Sequence, residues 1–323
     1  MPKTCIAESG TRPSLEKLDV NGFSRMLGVP EDQIPSEAWQ LINALDFSYS
    51  ILDAAARDDI VLAILKKLHS TPVSGKDRIG AWEERWSENL RAFAESGYAV
   101  EQLLPYYYRR GKAVMRLFGQ YVLPTDPWFE SNVLAVLRMW IAGTFLRQVE
   151  HVYEFGCGPA HNLAAIAELY PAKMYHGVDW APASQHIIQA LAKTRGVRID
   201  GARFDMFCPD EGYRIEANSA VLTFGAMEQL GTDYEAFLDF LLRARPRICV
   251  HVEPIYELYD RDRLFDYLAA RWSEKRGYLR GYLTRLKEMN GSVLRIQKVQ
   301  RNIGSLYHDG WTTVVWNPRG TED

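Results

Sequence analysis

The stretch from Val152 to Asn162 reads VYEFGCGPAHN and carries two glycines spaced as in a nucleotide-binding turn. Gly156 and Gly158 allow the backbone to adopt positive φ and to approach a ligand without interference from a Cβ. A helix predicted to begin near Ala160 or His161 turns its free N–H groups towards the same ligand and favours an anionic group such as a carboxylate. The turn is therefore a candidate binding loop.

Two common nucleotide sites are not compatible with this loop. A dinucleotide fingerprint, GxGxxG, requires a third glycine where this chain has His161, and that glycine leaves space for a pyrophosphate. No GK[ST] follows, which excludes a P-loop. Glu154, at the end of the preceding strand, instead supplies a carboxylate near a bound ammonium or a loop amide.

Further acidic and aromatic residues follow at the ends of the next predicted strands. Asp179 in GVDW can accept hydrogen bonds from both hydroxyls of a ribose, with charge assistance worth about 1.5–3 kcal/mol. Trp180 comes next and offers a flat surface for an adenine. In FDMF, Asp205 can accept from an adenine amino group, and the backbone N–H of Met206 or Phe207 can serve a ring nitrogen. These features point to an adenosine-containing ligand.

The residues from 150 onward alternate between short apolar strands and helices. The predicted strands are HVYEFGCG, KMYHGVDW, ARFDMFC, SAVLTFG and RICVHVEPI. The alternation of strands and helices indicates a parallel sheet with helices on both faces. SVLRIQKVQRNI and WTTVVWNP follow without a helix between them, which predicts an antiparallel hairpin. We therefore predict an α/β fold with a Rossmann-like, seven-stranded, mostly parallel sheet whose last strand is inserted antiparallel. The turn after the first strand lies where ligands bind in such sheets.

Before residue 148, apolar residues recur at helical spacing. LEKLDVNGFSRML, SEAWQLINALDFSYSILDAAARDDIVLAILKKL and WEERWSENLRAFAESG are predicted to be helical. FESNVLAVLRMWIAGTFLRQV is a more apolar helix, with Ser131 or Asn132 as its predicted N-cap. We predict an α-helical N-terminal cap domain over residues 1–148 and a ligand-binding domain over residues 149–323.

The composition limits the class of protein. Of the 323 residues, 47% are hydrophobic and 24% are charged, as in ordinary globular proteins. A net charge of -3 gives no electrostatic support for binding nucleic acid or an anionic membrane, and the densest basic cluster is the short RRGK run that begins at Arg109. Neither a run of about 20 apolar residues nor the apolar core of a secretion signal occurs, so we predict a cytoplasmic protein.

Cysteines and histidines give no support for a metal site or for disulfides. Cys5, Cys157, Cys208 and Cys249 contain no CxxC pair, and the last three lie in apolar, strand-like stretches. Free thiols in a reducing compartment fit this pattern. The seven histidines are scattered without an HExxH motif, and no metal is predicted.

In order along the chain, EFGCG, GVDW, FDM and LTFGAMEQL resemble the class I S-adenosylmethionine-dependent methyltransferases of the small-molecule type. The resemblance covers about residues 150–318 and implies that S-adenosylmethionine is the cofactor. It places Glu154, Gly156 and Gly158 at the methionine part, Asp179 at the ribose, Asp205 and Met206 at the adenine, and Phe224 and Gly225 beneath the cofactor. Cys157, His161 and Trp180 complete the predicted cofactor contacts. Many members have a glycine where this chain has Ala160, so the loop geometry is expected to differ while binding survives.

Catalytic candidates follow the fourth and fifth predicted strands of this sheet. Glu228 lies close to the expected methyl group, and Gln229 stands where many relatives have a histidine that can act as a base. His251 and Glu253 point to the same side of the fifth strand, and Glu253, at its end, is the leading candidate for orienting or deprotonating an acceptor. The alternative is a buried His251 bonded inside the sheet and a Glu253 that caps the following helix.

The acceptor site is predicted at Tyr107, Tyr108, Gln229, Tyr256 and Arg301. The consecutive tyrosines of LPYYYRRGK either pack the cap against the sheet or line an acceptor pocket, with Arg109 or Arg110 meeting an acidic acceptor. Arg301, Tyr307 and His308 of the hairpin either reach the same mouth or form a simple turn.

Together these observations predict a methyltransferase that transfers a methyl group to an oxygen or nitrogen of a small molecule. The acceptor class is a sugar, an amino-acid derivative or a secondary metabolite, enclosed between the two domains, with no nucleic acid or membrane as partner. Methylation of a peptide or protein side chain and a non-catalytic cofactor-binding module are the alternatives. The sequence leaves the oligomeric state open.

Overall fold

A computed structural model of the chain describes residues 14–109, 111 and 113–320. Cys5 and Arg110, both named above, lie outside the described residues, as does the extreme N-terminal stretch in which a secretion signal was sought. No helix in the described part of the chain is both long and apolar enough to cross a membrane.

The residues before 148 form helices around a small antiparallel sheet. The elements in chain order are β1 (Leu15–Lys17), α1 (Val20–Leu27), α2 (Ser36–Ala44), β2 (Ser48–Ile51), α3 (Ala54–Ser70), α4 (Ile79–Glu95), β3 (Met115–Leu117), β4 (Gln120–Pro124) and α5 (Phe129–Phe145). The four strands pair in the order β1-β2-β4-β3.

This small sheet corrects the prediction of a purely helical N-terminal region. The sequences of β1 and β2 fall inside stretches whose apolar spacing predicted helices. Strands of three or four residues carry too little periodicity to be distinguished from a helix. They are held by pairing with distant partners, such as Tyr49 of β2 with Pro124 of β4, which no local pattern reveals.

The start of α5 also differs from the prediction. Its N-cap is Trp128, three residues before the predicted Ser131. The Ser131 hydroxyl donates to the Trp128 carbonyl at 2.8 Å, and the Asn132 amide donates to the Asp126 carboxylate at 2.9 Å. Both polar side chains therefore bond back towards the preceding turn from inside the helix.

The residues after 150 form the predicted seven-stranded sheet. Its elements are β5 (His151–Phe155), α6 (His161–Leu169), β6 (Met174–Asp179), α7 (Pro182–Arg195), β7 (Ile199–Arg203), β8 (Ser219–Phe224), α8 (Glu235–Ala244), β9 (Ile248–Glu253), α9 (Leu264–Arg276), α10 (Tyr282–Met289), β10 (Leu294–Ile303) and β11 (Trp311–Pro318). The strand order is β10-β11-β9-β8-β5-β6-β7. Strands β5 to β9 are parallel, and β11 is inserted antiparallel between β9 and β10.

The predicted sheet and its terminal hairpin are thus confirmed. The central strands are apolar on both faces because helices cover both sides, and every residue of β9 is buried. The largest cluster of buried side chains takes members from both sides of residue 148, among them Trp140 of α5 and Val152 of β5. The division into two domains at residue 148 stays a prediction.

A buried ion cluster connects the small sheet to the rest of the molecule. Arg116 of β3 is 1% exposed, and its guanidinium donates to the Asp309 carboxylate at 3.2 Å and contacts Asp266 of α9 at 3.5 Å. Arg301 of β10 bonds the same two carboxylates, each at 2.6 Å. Two cations therefore neutralise two buried anions at this junction.

Candidate active site

A cavity lies at the carboxyl ends of β5, β6 and β8, where the strand order of the parallel sheet reverses. It contains most of the residues that the sequence singled out. On the cofactor side these are Glu154, Gly156, Cys157, Gly158, His161, Asp179, Trp180, Met206, Phe224 and Gly225, and on the acceptor side Tyr107, Tyr108 and Gln229.

The glycine loop between β5 and α6 adopts the conformation expected from its glycines. Gly156 and Gly158 have φ of 70° and 53°, in the left-handed region. A Cβ built on Gly156 would lie 2.3 Å from the Cβ of Ala226, so only glycine fits there. Ala160 is also left-handed, at φ 57°, which costs an alanine about 1–2 kcal/mol. Alanine thus takes the conformation for which the resemblance expects a third glycine.

We expect Gly156→Ala to destabilise the protein and to weaken ligand binding at this loop at least tenfold. The reason is the overlap with Ala226, which adds to the cost of left-handed backbone. Gly196→Ala is the matched control, because Gly196 has a similar φ of 65° but open space around its Cβ position. That control is expected to cost about 1 kcal/mol of unfolding free energy, from the backbone alone. Equal losses in the two variants, measured by denaturant unfolding, would contradict the close approach.

Asp179 fastens the glycine loop to the end of β6. One carboxylate oxygen accepts the Gly158 N–H at 2.8 Å, and the other accepts the Ala181 N–H at 2.8 Å. Each oxygen keeps a second lone pair for a ligand hydroxyl. Asp179 is 5% exposed, and burial raises the pKa of its carboxyl group to about 6. The residue predicted for the ribose therefore also shapes the loop.

Glu154 is buried beneath the loop and is only half satisfied. One oxygen accepts from the Asn162 amide at 2.6 Å, while the other has no hydrogen-bond partner among the described residues. Arg138 of α5 donates to the Asn162 carbonyl oxygen at 3.0 Å. Burial raises the pKa of the Glu154 carboxyl group to about 8.

The sequence reasoning missed Asn162 and Arg138. Arg138 stands alone as a basic residue in the otherwise apolar helix α5, and an isolated cation on an apolar helix was the available signal.

His161 begins α6 and lines the cavity. Its Nδ1 is buried and has no hydrogen-bond partner in the described part of the chain. Burial holds the pKa of its imidazole well below the usual value, so the ring is neutral at pH 7. A neutral imidazole with a free nitrogen is able to accept or donate one hydrogen bond to a ligand.

The predicted adenine end is aromatic. Trp180 and Phe207 stack with ring centroids 6.1 Å apart and an interplanar angle of 21°. Asp205 does not line the cavity, which corrects its predicted place beside the ligand. It is exposed, and its carboxylate accepts the Phe207 N–H at 2.9 Å. The short turn after β7 thus uses this aspartate to close on itself.

Aromatic residues from the N-terminal region cover the cavity. Tyr107 and Tyr108, in a 3₁₀ turn over Tyr106–Arg109, both line it, whereas Tyr106 is exposed and Arg109 bonds the backbone oxygens of Gln102 and Leu104. The tyrosines therefore pack against the sheet and also form cavity wall. Arg109 is engaged in its own loop, away from any acceptor.

Two tryptophans of α4 were not anticipated by the sequence reasoning. Trp82 and Trp86 line the cavity and stack on each other at 5.4 Å. The indole of Trp86 would lie 2.9 Å from a Cβ on Gly158. Glu83, between them, accepts the Ala183 N–H at the start of α7 at 3.0 Å. Helix α4 is thereby held against the cofactor side of the cavity.

Glu253 does not lie at the cleft, and its predicted role as acceptor base is therefore wrong in position. It is fully buried and accepts the N–H groups of Ala226, Met227 and Glu228 at 3.0, 3.1 and 3.1 Å. The alternative prediction, that Glu253 caps the helix after its own strand, agrees better with these bonds. The turn that it caps, Met227–Leu230, nevertheless follows β8 rather than β9. Burial raises the pKa of its carboxyl group to about 7, and this effect outweighs that of the three N–H donors, which lower the pKa.

His251 likewise lies inside the sheet and away from the cavity. Its Nδ1 is 2.9 Å from the Thr223 hydroxyl, and its imidazole is buried between Tyr282 and Trp316. Burial lowers its pKa to about 3, so the ring is neutral. His251 therefore has the position of the alternative prediction, buried and hydrogen-bonded inside the sheet.

Glu228 lies behind Gln229 rather than on the cavity wall. The Gln229 amide donates to the Glu228 carboxylate at 2.9 Å. His308 lies 3.9 Å from its other oxygen. Burial and the neighbouring Glu253 raise the pKa of the Glu228 carboxyl group to about 8.

Two predicted acceptor residues, Tyr256 and Arg301, do not line this first cavity. Arg301 is engaged in the ion cluster with Asp266 and Asp309 described above. Tyr256 lines a second cavity, and its hydroxyl donates to Glu274 at 2.7 Å. Position in sequence could not separate these loops, because several loops converge at the same end of the sheet.

No protein-family model and no curated protein matches the chain. Among solved structures, it is similar to the N,N-8-amino-8-demethyl-D-riboflavin dimethyltransferase RosA from Streptomyces davawensis, with 14% identity over 59% of this chain and 57% of that one and a TM-score of 0.39. Human N-acetylserotonin methyltransferase in complex with SAM has 13% identity over 58% of this chain and 53% of that one, with a TM-score of 0.40. The [4+2]-cyclase SpnF has 12% identity over 76% of this chain and 97% of its own, with a TM-score of 0.49.

These similarities are weak. The chain spans 57% of the length of RosA and 53% of that of the N-acetylserotonin methyltransferase. Identities of 12 to 14% with TM-scores below 0.5 establish neither a shared family nor a shared activity.

Proposed function

We propose that this protein is an S-adenosylmethionine-dependent methyltransferase that acts on a small-molecule acceptor. The observation that carries the proposal is Asp179. Its carboxylate lies in the cavity at the reversal of the sheet, fastens the glycine loop, and keeps lone pairs for two ligand hydroxyls.

The cavity residues fit the parts of this cofactor. Asp179 would hold the ribose hydroxyls, and the stacked Trp180 and Phe207 offer apolar surface to an adenine. Glu154 has a buried oxygen without a partner, which suits the ammonium of the methionine part, and His161 has a free nitrogen for its carboxylate. The positive φ of the glycine loop permits a close backbone approach.

The chemistry that S-adenosylmethionine supplies when bound is an activated methyl group on a positively charged sulfur. The protein's own contribution is then orientation and exclusion of water, by Phe224 and Gly225 below and the aromatic residues of α4 and the 106–109 turn above. Neither His251 nor Glu253 reaches the cavity, so we propose that acceptor deprotonation, where needed, does not depend on them. The covering aromatic residues also favour a small acceptor over a protein chain.

Isothermal titration with S-adenosylmethionine and with S-adenosylhomocysteine tests the cofactor assignment. We expect both to bind with dissociation constants in the micromolar range, which correspond to a binding free energy on the order of −8 kcal/mol. Adenosine and NAD⁺ serve as controls, because adenosine lacks the methionine part and NAD⁺ has a pyrophosphate that the loop does not accommodate. Equal or tighter binding of NAD⁺, or no heat with either sulfur compound, would overturn the proposal.

A further inference from the structure

A second cavity lies directly beside the first and has a volume of about 350 Å³. Phe207, Gln229 and Leu230 line both cavities. The remaining wall comes from the loop 74–76 after α3, the turn 231–233 after β8, Tyr256 after β9, and the end of α9 with the turn that follows it. Its size is in the range of small-molecule sites. The shared residues make it the neighbouring compartment of the cavity assigned to the cofactor.

Two cations at this second cavity are available to a ligand. Lys76 and Arg280 are exposed, and neither forms an ion pair with any described residue. The Lys76 ammonium lies 4.8 Å from the centre of the Phe207 ring, and the Arg280 guanidinium lies 5.9 Å from that of Tyr256. Both aromatic rings belong to the cavity wall, so the cations sit at its surface.

The acidic residues around the cavity do not cancel these cations. Glu274 is already engaged, because its carboxylate bonds the Tyr256 hydroxyl and forms ion pairs with Arg261 and Arg271. Asp233, exposed at the rim, is the single lining carboxylate without an ion pair in the described part of the chain. Two free cations against one free anion leave the cavity with a net positive charge.

Buried polar atoms of the wall are also without partners. Ser273 is 2% exposed, and its hydroxyl has no hydrogen-bond partner among the described residues. The Ser74 hydroxyl and the Gln229 carbonyl oxygen are buried and unpartnered too. Unsatisfied buried polar groups are costly, and the three residues that carry them belong to the cavity wall.

We infer that the second cavity is the acceptor site and that the acceptor carries an oxyanion, a carboxylate or a phosphate, bound by Lys76 and Arg280. This inference rests on the proposed function, because it places the acceptor relative to the cofactor cavity. The reacting oxygen or nitrogen of the acceptor reaches that cavity beside Gln229, a residue that lines both compartments.

Calorimetric titration of the protein saturated with S-adenosylhomocysteine tests this inference. The probes are hydroxyl- or amino-bearing anions, each paired with an uncharged analogue, such as 4-hydroxyphenylacetate with its amide, and 4-hydroxybenzyl phosphate with 4-hydroxybenzyl alcohol. We expect anions to bind at least tenfold more tightly than their neutral partners. The carboxylate and phosphate series, compared with each other, identify which oxyanion the site takes.

Paired variants assign that preference to the cavity. The double variant Lys76→Gln, Arg280→Gln is expected to lose the tenfold preference for anions while keeping the affinity for S-adenosylhomocysteine within about threefold. The control is Lys193→Gln, Arg195→Gln, which makes the same charge change at the exposed end of α7, outside both cavities. This control should bind anions as the unaltered protein does.

Three results would overturn the inference: anions that bind no better than their neutral partners, an unchanged preference in the cavity variant, or an equal loss in the control. The failure of the proposed function is distinguishable, because it appears earlier, as the absence of S-adenosylhomocysteine binding to the unaltered protein.

Discussion

Asp179→Asn is expected to weaken binding of S-adenosylhomocysteine by about 10- to 100-fold, equivalent to about 1.4–2.7 kcal/mol. Two causes act together. The variant loses the charge that strengthens hydrogen bonds from ligand hydroxyls. It also replaces one oxygen by an amide nitrogen, which accepts no hydrogen bond, so either the Gly158 N–H of the glycine loop or the Ala181 N–H before α7 loses its acceptor.

The control for this prediction is Asp205→Asn. The resemblance assigns Asp205 to the adenine, whereas the structure places it outside the cavity, so this variant is expected to change the affinity less than about threefold. Titration calorimetry on both variants measures the difference. Similar losses in the two would show that the loop after β7 moves Asp205 onto the ligand.

The pH dependence supplies a second readout for Asp179. Its pKa of about 6 in the free protein means that the carboxyl group becomes protonated as the pH falls below 6. Ligand hydroxyls donate best to the ionised form, so affinity in the unaltered protein should fall in that range. Asp179→Asn has no charge to lose and should lack this part of the decline.

Glu253→Gln is expected to lower the free energy of unfolding by about 2–4 kcal/mol. Glu253 accepts three backbone N–H groups of the turn after β8. A glutamine oxygen can serve two of them, but its amide nitrogen then faces the third donor. One buried N–H is left unsatisfied, and the charge that strengthens the other bonds is lost.

Thermal and denaturant unfolding measure this effect, with a decrease in Tm of about 4–10 °C expected for a chain of this size. Glu211→Gln is the control, since Glu211 is exposed and its carboxylate makes no bond among those of the described residues. An acceptor base would behave differently: its glutamine variant would keep normal stability and lose turnover. That outcome would restore the position first predicted for Glu253.

The sheet could be predicted from sequence because its strands are local and strongly apolar. Strands β5, β6, β8 and β9 are runs of mostly buried residues, each followed by a turn and a helix, whereas β7 is partly exposed and leads to β8 without a helix. The hairpin at the end also lacks a helix. The same locality made Asp179 recognisable, since it follows directly on a strand whose carboxyl end faces the ligand site.

The parts that could not be predicted depend on contacts between distant segments. Trp86 of α4 contacts the glycine loop, and Arg138 of α5 contacts Asn162. The sequence around each of these two residues contains no pattern that indicates such a contact. Glu253 shows a related limit. The side chain of a residue at the end of a strand can point into the cleft or towards the turn that follows the neighbouring strand. Glu253 points towards that turn, because three backbone N–H groups there need an acceptor.

The bonds of Glu253 have a consequence for how the site can change. All three go to main-chain N–H groups, so the path of residues 226–228 is set from the neighbouring strand and not by the side chains at those positions. Substitutions at the adjoining Gln229, which lines both cavities, can therefore alter the shape and polarity of the wall between them while the backbone of residues 226–228 stays in place. This wall is a suitable target for redirecting acceptor preference by mutation without rebuilding the cofactor site.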